Sequence, residues 1–169
     1  MITTDRLTLR NLQPADVPLL HASRNDPRCA RYQRYEITTI PALEQFVRDY
    51  ASCRFPSTAE EQHYGVALRQ SGELIGDLSV FFTGADRCFT LGITVYPAWQ
   101  RQGFAREILR AVTLRLREDY PAMEQVALID PDNAASLALF GSLGFLQECY
   151  APSIHSCVLT LPATEATRP

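Results

Sequence analysis

No stretch of this 169-residue chain reaches the roughly 20 consecutive apolar residues that a membrane-spanning helix needs. The opening MITTDRLTLRNL alternates apolar with polar or charged residues and holds no apolar h-region, so no secretory signal is expected. The five cysteines (Cys29, Cys53, Cys88, Cys149 and Cys157) are scattered and form no C-x-x-C pair, which argues against zinc and thiol-redox motifs. An odd count without an export signal fits reduced thiols and a cytoplasmic protein. Neither G-x-x-x-x-G-K-[ST] nor G-x-G-x-x-G occurs, so a P-loop and a dinucleotide fold are not expected. A basic excess is missing too. The net charge is −3 and the pI near 5.6, which argues against a DNA-binding role. There is no internal repeat and no low-complexity linker.

What is present is an ordinary globular composition, 46% apolar and 21% charged, in a length that suits one domain with a proper core. We expect that domain to span residues 1–162, with a flexible polar tail over 163–169. RLTLRNL alternates with period 2 and reads as a first strand. QPADVPLLHASRND reads as a helix with Asp16 near its start, and PALEQFVRDYASCR as a second with Pro41 in the first turn. Residues 25–40 between them read as a loop rich in Arg and Tyr. The period then changes. HYGVALRQSGELIGDLSVFF predicts a hairpin turning at Gly72, and CFTLGITVYP a strand that Pro97 ends. QGFAREILRAVTLRLRED predicts an amphipathic helix and EQVALID a short buried strand. PDNAASLALFGSLGF predicts a helix stopped by Gly144, and a last antiparallel strand pair closes the chain. The order is β-α-α-β-β-β-α-β-α-β-β, an α+β fold with a mixed sheet and helices on its faces.

The stretch VYPAWQRQGFA, Val95 to Ala105, is the most informative. A strand runs into a proline, then into a loop with one glycine, then into a helix. The first-turn N–H groups around Gln102, Gly103, Phe104 and Ala105 have no partners inside that helix. The helix dipole adds roughly half a positive charge there. Arg101 and Arg106 can add a cation. Such a nest binds anions, phosphate in particular. On the glycine alone the alternative is a tight turn and nothing more.

Pro97 followed by Gln100-x-x-Gly103-x-Ala105, after a strand and opening a helix, resembles the coenzyme A signature of the GNAT acetyltransferases. LIDPDNAASLALFGSLGF resembles the family's second element through Asn133, Ser136, Gly144 and Phe145. TDRLTLRNLQPADVPLL resembles the opening of the RimJ/RimL-like subgroup, which acetylates ribosomal-protein N-termini. The resemblance covers roughly residues 3–161 and implies the GNAT fold, a mixed and mostly antiparallel sheet with splayed strands and flanking helices. It also implies acetyl-CoA as co-substrate, an amine as acceptor and no metal.

On that resemblance, pantetheine lies in the splay and pairs with Ile93, Thr94 and Val95. Its amides need partners, and a splayed edge has them. The pyrophosphate falls on Gln100, Arg101, Gln102, Gly103, Phe104 and Ala105. Asn133 is a helix cap, a ligand of the pantetheine arm, or both. Many members carry a Tyr where this chain has Phe140, and a phenyl ring has no proton to give. Ser136, one turn after Asn133, is then the candidate catalytic donor to the departing thiolate. Its alternative is a helix serine bonded to a carbonyl one turn back. Phe140 is either core packing or a wall beside the thiol.

The acceptor side is expected around Tyr32, Tyr35 and Glu36, in the loop between the first two helices. Candidates for the general base are Glu36, Asp77, Asp86 and His63. The glutamate that many members carry near the signature strand is replaced here by FTLGI. An unpaired Asp77 on a central strand would be costly unless it lined a cleft. The resulting expectation is direct acetyl transfer to a primary amine, foremost a protein N-terminal α-amine. The alternatives are a small amine such as an aminoglycoside or polyamine, or a catalytically silent acyl-CoA-binding module. No membrane partner is expected, and the assembly is a monomer or a homodimer.

Overall fold

The computed structural model describes residues 1–33, 35 and 38–164. Among them, eight strands form one sheet in the order β1-β2-β3-β4-β5-β6-β8-β7. The strands are β1 (Ile2–Thr3), β2 (Leu7–Arg10), β3 (Glu61–Leu68), β4 (Leu74–Thr83), β5 (Cys88–Val95), β6 (Glu124–Ile129), β7 (Leu146–Ala151) and β8 (Ser156–Leu161). The helices are α1 (Val17–Arg24), α2 (Pro27–Ala30), α3 (Ile40–Asp49), α4 (Phe104–Asp119) and α5 (Ala134–Gly141). Only β5 and β6 run parallel; every other neighbouring pair is antiparallel.

The predicted element order holds, with two additions and some shifted ends. The region read as a loop contains α2, because Asp26 caps Asp-Pro-Arg through its side chain, which accepts from the Arg28 N–H at 2.8 Å. A two-residue β1 pairs with β2 ahead of the first predicted strand. Helix α5 ends at Gly141, and Gly144, at φ +91°, turns the chain after it. The expected loose tail is tied at its start, where the Thr164 N–H donates to the Pro121 carbonyl at 2.9 Å.

Two apolar cores lie on opposite faces of the sheet. On one face α1 and α3 pack Leu20, Leu43, Phe46 and Val47 over Leu12, Leu74 and Tyr96. On the other, α4 and α5 pack Ile108, Leu109, Val112 and Phe140 over Tyr64, Leu78, Val80 and Phe89. Strand side chains alternate between the faces. A bulge between β3 and β4 breaks the alternation; a second lies between β7 and β8. Val66 pairs with Gly76 and Ala67 with Leu74, which leaves Ile75 as the extra residue. Leu74 therefore reaches the α1–α3 core and Ile75 the α4 core.

Candidate active site

The site begins where the two parallel strands part. Strand β5 pairs with β6 only at Cys88, Phe89 and Thr90, and beyond Val126 β6 pairs with β8 alone. Among the described residues, the remainder of β5 has no strand partner on that edge. The Tyr96 N–H donates to the Ile75 carbonyl at 2.9 Å, which fixes the alternation: Thr94 and Gly92 turn their backbone groups to β4, Ile93 and Val95 to the gap. The Val95 carbonyl accepts from Gln100 Nε2 at 2.9 Å, so this side chain braces the loop that follows the strand.

The gap opens into a cavity of about 290 Å³. Ile93, Thr94 and Val95 form one wall; Gln100, Arg101, Gly103, Phe104 and Ala105 form its loop end. Asn133, Ala135, Ser136 and Leu139 of α5 and its entry form the other wall. Cys29, Tyr32 and Gln33 reach it from the α2 loop. At the loop end Arg101 has φ +63° and Gly103 φ +81°, two departures from ordinary backbone on either side of Gln102, and Gly103 caps α4, whose first-turn N–H groups have no partner inside the helix. A residue with a side chain is strained at that φ, while glycine is not. The edge, the loop and the α5 wall suit an extended chain of amides that ends in an anion.

Of the roles read from the sequence for Asn133, the structure shows the helix cap, in a residue that also faces the cavity. Its Oδ1 accepts from the Ser136 N–H at 3.1 Å, capping α5, which leaves the Nδ2 donors of a residue that also lines the cavity. Ser136 Oγ makes no hydrogen bond among the described residues, and the Asp132 carbonyl one turn back accepts from the Tyr32 hydroxyl at 3.1 Å instead. Two side chains expected at the coenzyme do not line the cavity: Gln102, whose backbone N–H alone remains a candidate contact, and Phe140, for which the core-packing reading holds. Gln102 faces away from the cavity, its side chain donating to the Ala98 carbonyl at 3.2 Å and its own carbonyl accepting from Arg6 at 3.1 Å. Phe140 is 2% exposed and packs edge-on to Phe145 at 5.1 Å, in the core rather than beside the cavity. Leu139 takes the wall position.

A second cavity, about 450 Å³, meets the first at Gln33, Ile93 and Thr94. Its floor is the sheet face under α1 and α3, where alternate residues of three strands are polar or small: Glu61 and His63 on β3, Asp77 and Ser79 on β4, Gly92 and Thr94 on β5. Arg24, Tyr35, Phe46 and Phe81 complete it. Tyr35 shares a 2.9 Å hydrogen bond with Thr94 Oγ1 at the junction of the two cavities. Tyr32 does not line this cavity; it lines the first cavity and a third one that adjoins Ser79, Phe81 and Gly92. Glu36 lies outside the described residues, and Asp86 sits on the exposed β4–β5 turn away from either cavity.

Asp77 is the distinctive group on this floor. It is 8% exposed, and its Oδ2 has no hydrogen-bond partner among the described residues. Burial pushes its carboxyl up to about 6, with the Arg24 charge pulling the other way. His63 is driven down by burial, against the pull of Glu61, whose Oε1 lies 2.7 Å from its Nε2. It stands among the rings of Phe46, Tyr50 and Phe81 as an essentially neutral packing residue. Burial raises the Cys29 thiol, so it is no poised nucleophile. A third cavity, about 530 Å³, continues the trough past Ser79, Phe81 and Gly92 to Leu128, Asp130 and the β7–β8 turn at Ile154, His155 and Ser156. The sequence reading missed Arg24, Phe46, Glu61, Ser79 and Phe81. The signal was the period-2 row of small and polar residues on three consecutive strands, visible only once their register is known.

A family model described as an acetyltransferase (GNAT) domain matches residues 6–146. The uncharacterized N-acetyltransferase YoaA of Bacillus subtilis is 26% identical over 152 residues, covering 88% of this chain and 84% of that protein. A structure from Vibrio cholerae, described as a ribosomal-protein-serine acetyltransferase, has TM-score 0.79 and 26% identity, over 95% of this chain and 96% of its own. Spermidine N-acetyltransferase from Vibrio cholerae, solved with CoA and spermine, has TM-score 0.72 and 20% identity, over 93% and 94% of the two chains. With a family model spanning most of its length and a splayed sheet of the same architecture, the chain belongs to the GNAT acetyltransferase family, as an acetyl-CoA-dependent N-acetyltransferase.

Proposed function

We propose that this enzyme acetylates the N-terminal α-amine of a protein or peptide, by direct transfer from acetyl-CoA in a ternary complex. The observation that carries the reading is the buried Asp77 carboxylate, on the floor of a trough that opens at one end onto the donor cavity. The backbone edge at Ile93 and Val95 pairs with the pantetheine amides, and the loop Gln100 to Ala105 takes the pyrophosphate at the start of α4. Asn133 Nδ2 donates to the pantetheine arm. The amine nitrogen attacks the thioester carbonyl carbon; the C–N bond forms, and one amine proton passes to Asp77, directly or through one water. The C–S bond breaks, and the Ser136 hydroxyl donates to the thiolate that leaves. Backbone N–H groups of the free β5 edge stabilise the oxyanion between these steps.

Acceptor chemistry favours an α-amine. With a pKa near 8 it is roughly 10% neutral at pH 7, against about 0.04% for a lysine amine. A carboxylate titrating near 6 is a sufficient base for the first and a poor one for the second. The trough extends well beyond the first cavity, which supports an acceptor longer than one residue. A second reading, a small polyamine, is favoured by the two carboxylates Asp77 and Glu61 in one cavity; Arg24 in the same cavity counts against a polycation.

Mass spectrometry after incubation with acetyl-CoA tests this. The substrates are peptides with a free N-terminus, the same peptides N-blocked but bearing lysine, and spermidine. The chain itself contains no lysine, so any ε-acetyl product comes from the added peptide. Product on free N-termini alone is expected. Product on spermidine alone transfers the assignment to the second reading.

A further inference from the structure

The pyrophosphate loop is gripped from behind by a residue far away in sequence. Arg6, in the turn between β1 and β2, donates through Nη1 to the Gln102 carbonyl at 3.1 Å. Its guanidinium lies over the Phe104 ring, 4.4 Å from the centroid, and Nη2 is 3.5 Å from where a side chain on Gly103 would begin. One side chain thus touches Gln102 and Phe104 and lies close above Gly103 between them, the residues that turn the loop into α4. Arg6 is itself anchored. Its Nε donates to Glu107 Oε2 at 2.6 Å and its backbone N–H to Oε1 at 3.0 Å, and the Thr4 hydroxyl donates to the same Oε1 at 2.6 Å. Although burial opposes it, these hydrogen bonds hold the Glu107 carboxyl below its ordinary value. Arg6 does not line the donor cavity; Phe104 stands between, with one side toward the cavity and the other toward Arg6.

We infer that Arg6 is a positioning residue for coenzyme affinity. It holds Gln102, Gly103 and Phe104 in the conformation that presents their N–H groups to the pyrophosphate, and it neutralises the Glu107 carboxylate one turn into α4. The physical reason is preorganisation. A loop with two residues at positive φ loses its N–H alignment when nothing fixes it, and the entropy of reordering it is then charged against binding. A second effect has the same sign. A carboxylate left unpaired in the first turn of α4 would lower the potential where the anion sits. The inference rests on the donor-site reading above.

The test compares Arg6→Ala, Arg6→Lys and wild type with two donors, acetyl-CoA and S-acetylpantetheine, which lacks the pyrophosphate. The Arg6 side chain is about half exposed, so the variants are expected to fold. For Arg6→Ala, KM for acetyl-CoA is expected to rise about tenfold, with kcat at saturation and the KM of the acceptor within about twofold of wild type. With S-acetylpantetheine, kcat/KM stays within about twofold, an outcome that general damage to the fold would not give. Lysine carries the charge but lacks the planar fork whose Nε and Nη1 reach Glu107 and Gln102 separately and whose face lies on Phe104, so Arg6→Lys recovers less than half of the loss on a logarithmic scale. Unchanged acetyl-CoA affinity in Arg6→Ala, equal losses with both donors, or full recovery by lysine overturns the inference. Wild-type protein that fails to bind acetyl-CoA takes the donor-site reading down with it.

Discussion

Between Leu91 and Val95 one strand serves two cavities in different ways. Toward the β5–β6 gap it offers backbone: the groups of Ile93 and the N–H of Val95, whose carbonyl is held by Gln100. Toward the α1–α3 face it offers the Thr94 side chain and the bare Cα of Gly92, in a row that continues through Asp77, Ser79 and His63. The proposed donor side is thus made of groups every residue possesses, arranged by strand divergence and a positive φ at Gly103. The proposed acceptor side is made of particular side chains brought into register from three strands and two helices. A backbone site tolerates many side chains but few changes of conformation. A side-chain site is the reverse, and substitutions can separate the two.

The largest effect is expected from Gly103→Glu. The added carboxylate meets the pyrophosphate at the start of α4, and the backbone at φ +81° disfavours any side chain. Acetyl-CoA affinity should fall at least a hundredfold by titration calorimetry. Gly103→Asn separates the causes, because asparagine tolerates this backbone region and carries no charge. It should lose less than tenfold. Equal losses in both would make conformation, not charge, the decisive element.

Asp77→Asn probes the other side. The expected loss in kcat/KM is roughly a hundredfold, within the range of general-base removal, with acetyl-CoA affinity unchanged. Wild-type kcat/KM should climb steeply up to about pH 6, where the carboxyl ionises, and more gently above it as the amine deprotonates. The variant should show no break near 6. Stability should move oppositely to activity. The folded state holds the Asp77 proton more tightly than the unfolded chain, from 3.8 up to about 6, so ionisation weakens the fold as pH rises through that window. At about 1.4 kcal/mol per pKa unit, this is on the order of 3 kcal/mol at pH 7 and nothing below pH 4. Asp77→Asn should therefore raise the melting temperature at pH 7 and leave it unchanged at pH 4. A variant that is no more stable at pH 7 would mean the carboxylate has a partner that offsets its burial.

The same contrast explains what could be read in advance. The framework of the proposed donor half was legible because its determinants are local: a strand, a proline, a glycine and a helix start fall within Val95 to Ala105. The acceptor half was mostly not. Asp77 could be picked out as a carboxylate that a central strand tolerates only at a cleft, but Arg24, Phe46 and Glu61 come to it through packing that no local pattern encodes. Phe140 shows the limit even on the donor side. Spacing of four from Ser136 places both on neighbouring parts of one helix surface, yet a phenylalanine follows the turn at Gly144, and Phe140 packs on it. The core claimed the ring and left the cavity to Leu139.

Ser136→Ala should reduce kcat about tenfold and leave acetyl-CoA affinity within about twofold, since Ser136 contributes its N–H, not its hydroxyl, to the α5 cap. Equal turnover in variant and wild type would leave the thiolate to be stabilised by the backbone alone. That outcome would make the donor half a purely main-chain site.

The smallest effect is expected where the two halves touch. The Tyr35 hydroxyl and Thr94 Oγ1, 2.9 Å apart, form a side-chain contact at the mouth of the backbone-lined cavity. Burial pushes the Tyr35 phenol upward, so it stays protonated throughout the working range and acts by position rather than by proton transfer. Tyr35→Phe keeps the ring and its packing against Arg24 and removes one hydrogen bond. The net stability cost is about 1 kcal/mol. If the contact only closes the fold, melting temperature falls and kinetics do not change. If it sets the angle at which the acceptor cavity meets the donor cavity, the acceptor KM rises about threefold while the acetyl-CoA KM holds. The second result is expected, because Thr94 is the one β5 residue whose backbone is committed to β4 and whose side chain lines both cavities. A rise in both KM values together would show that the backbone-built and side-chain-built halves are mechanically one unit at this point.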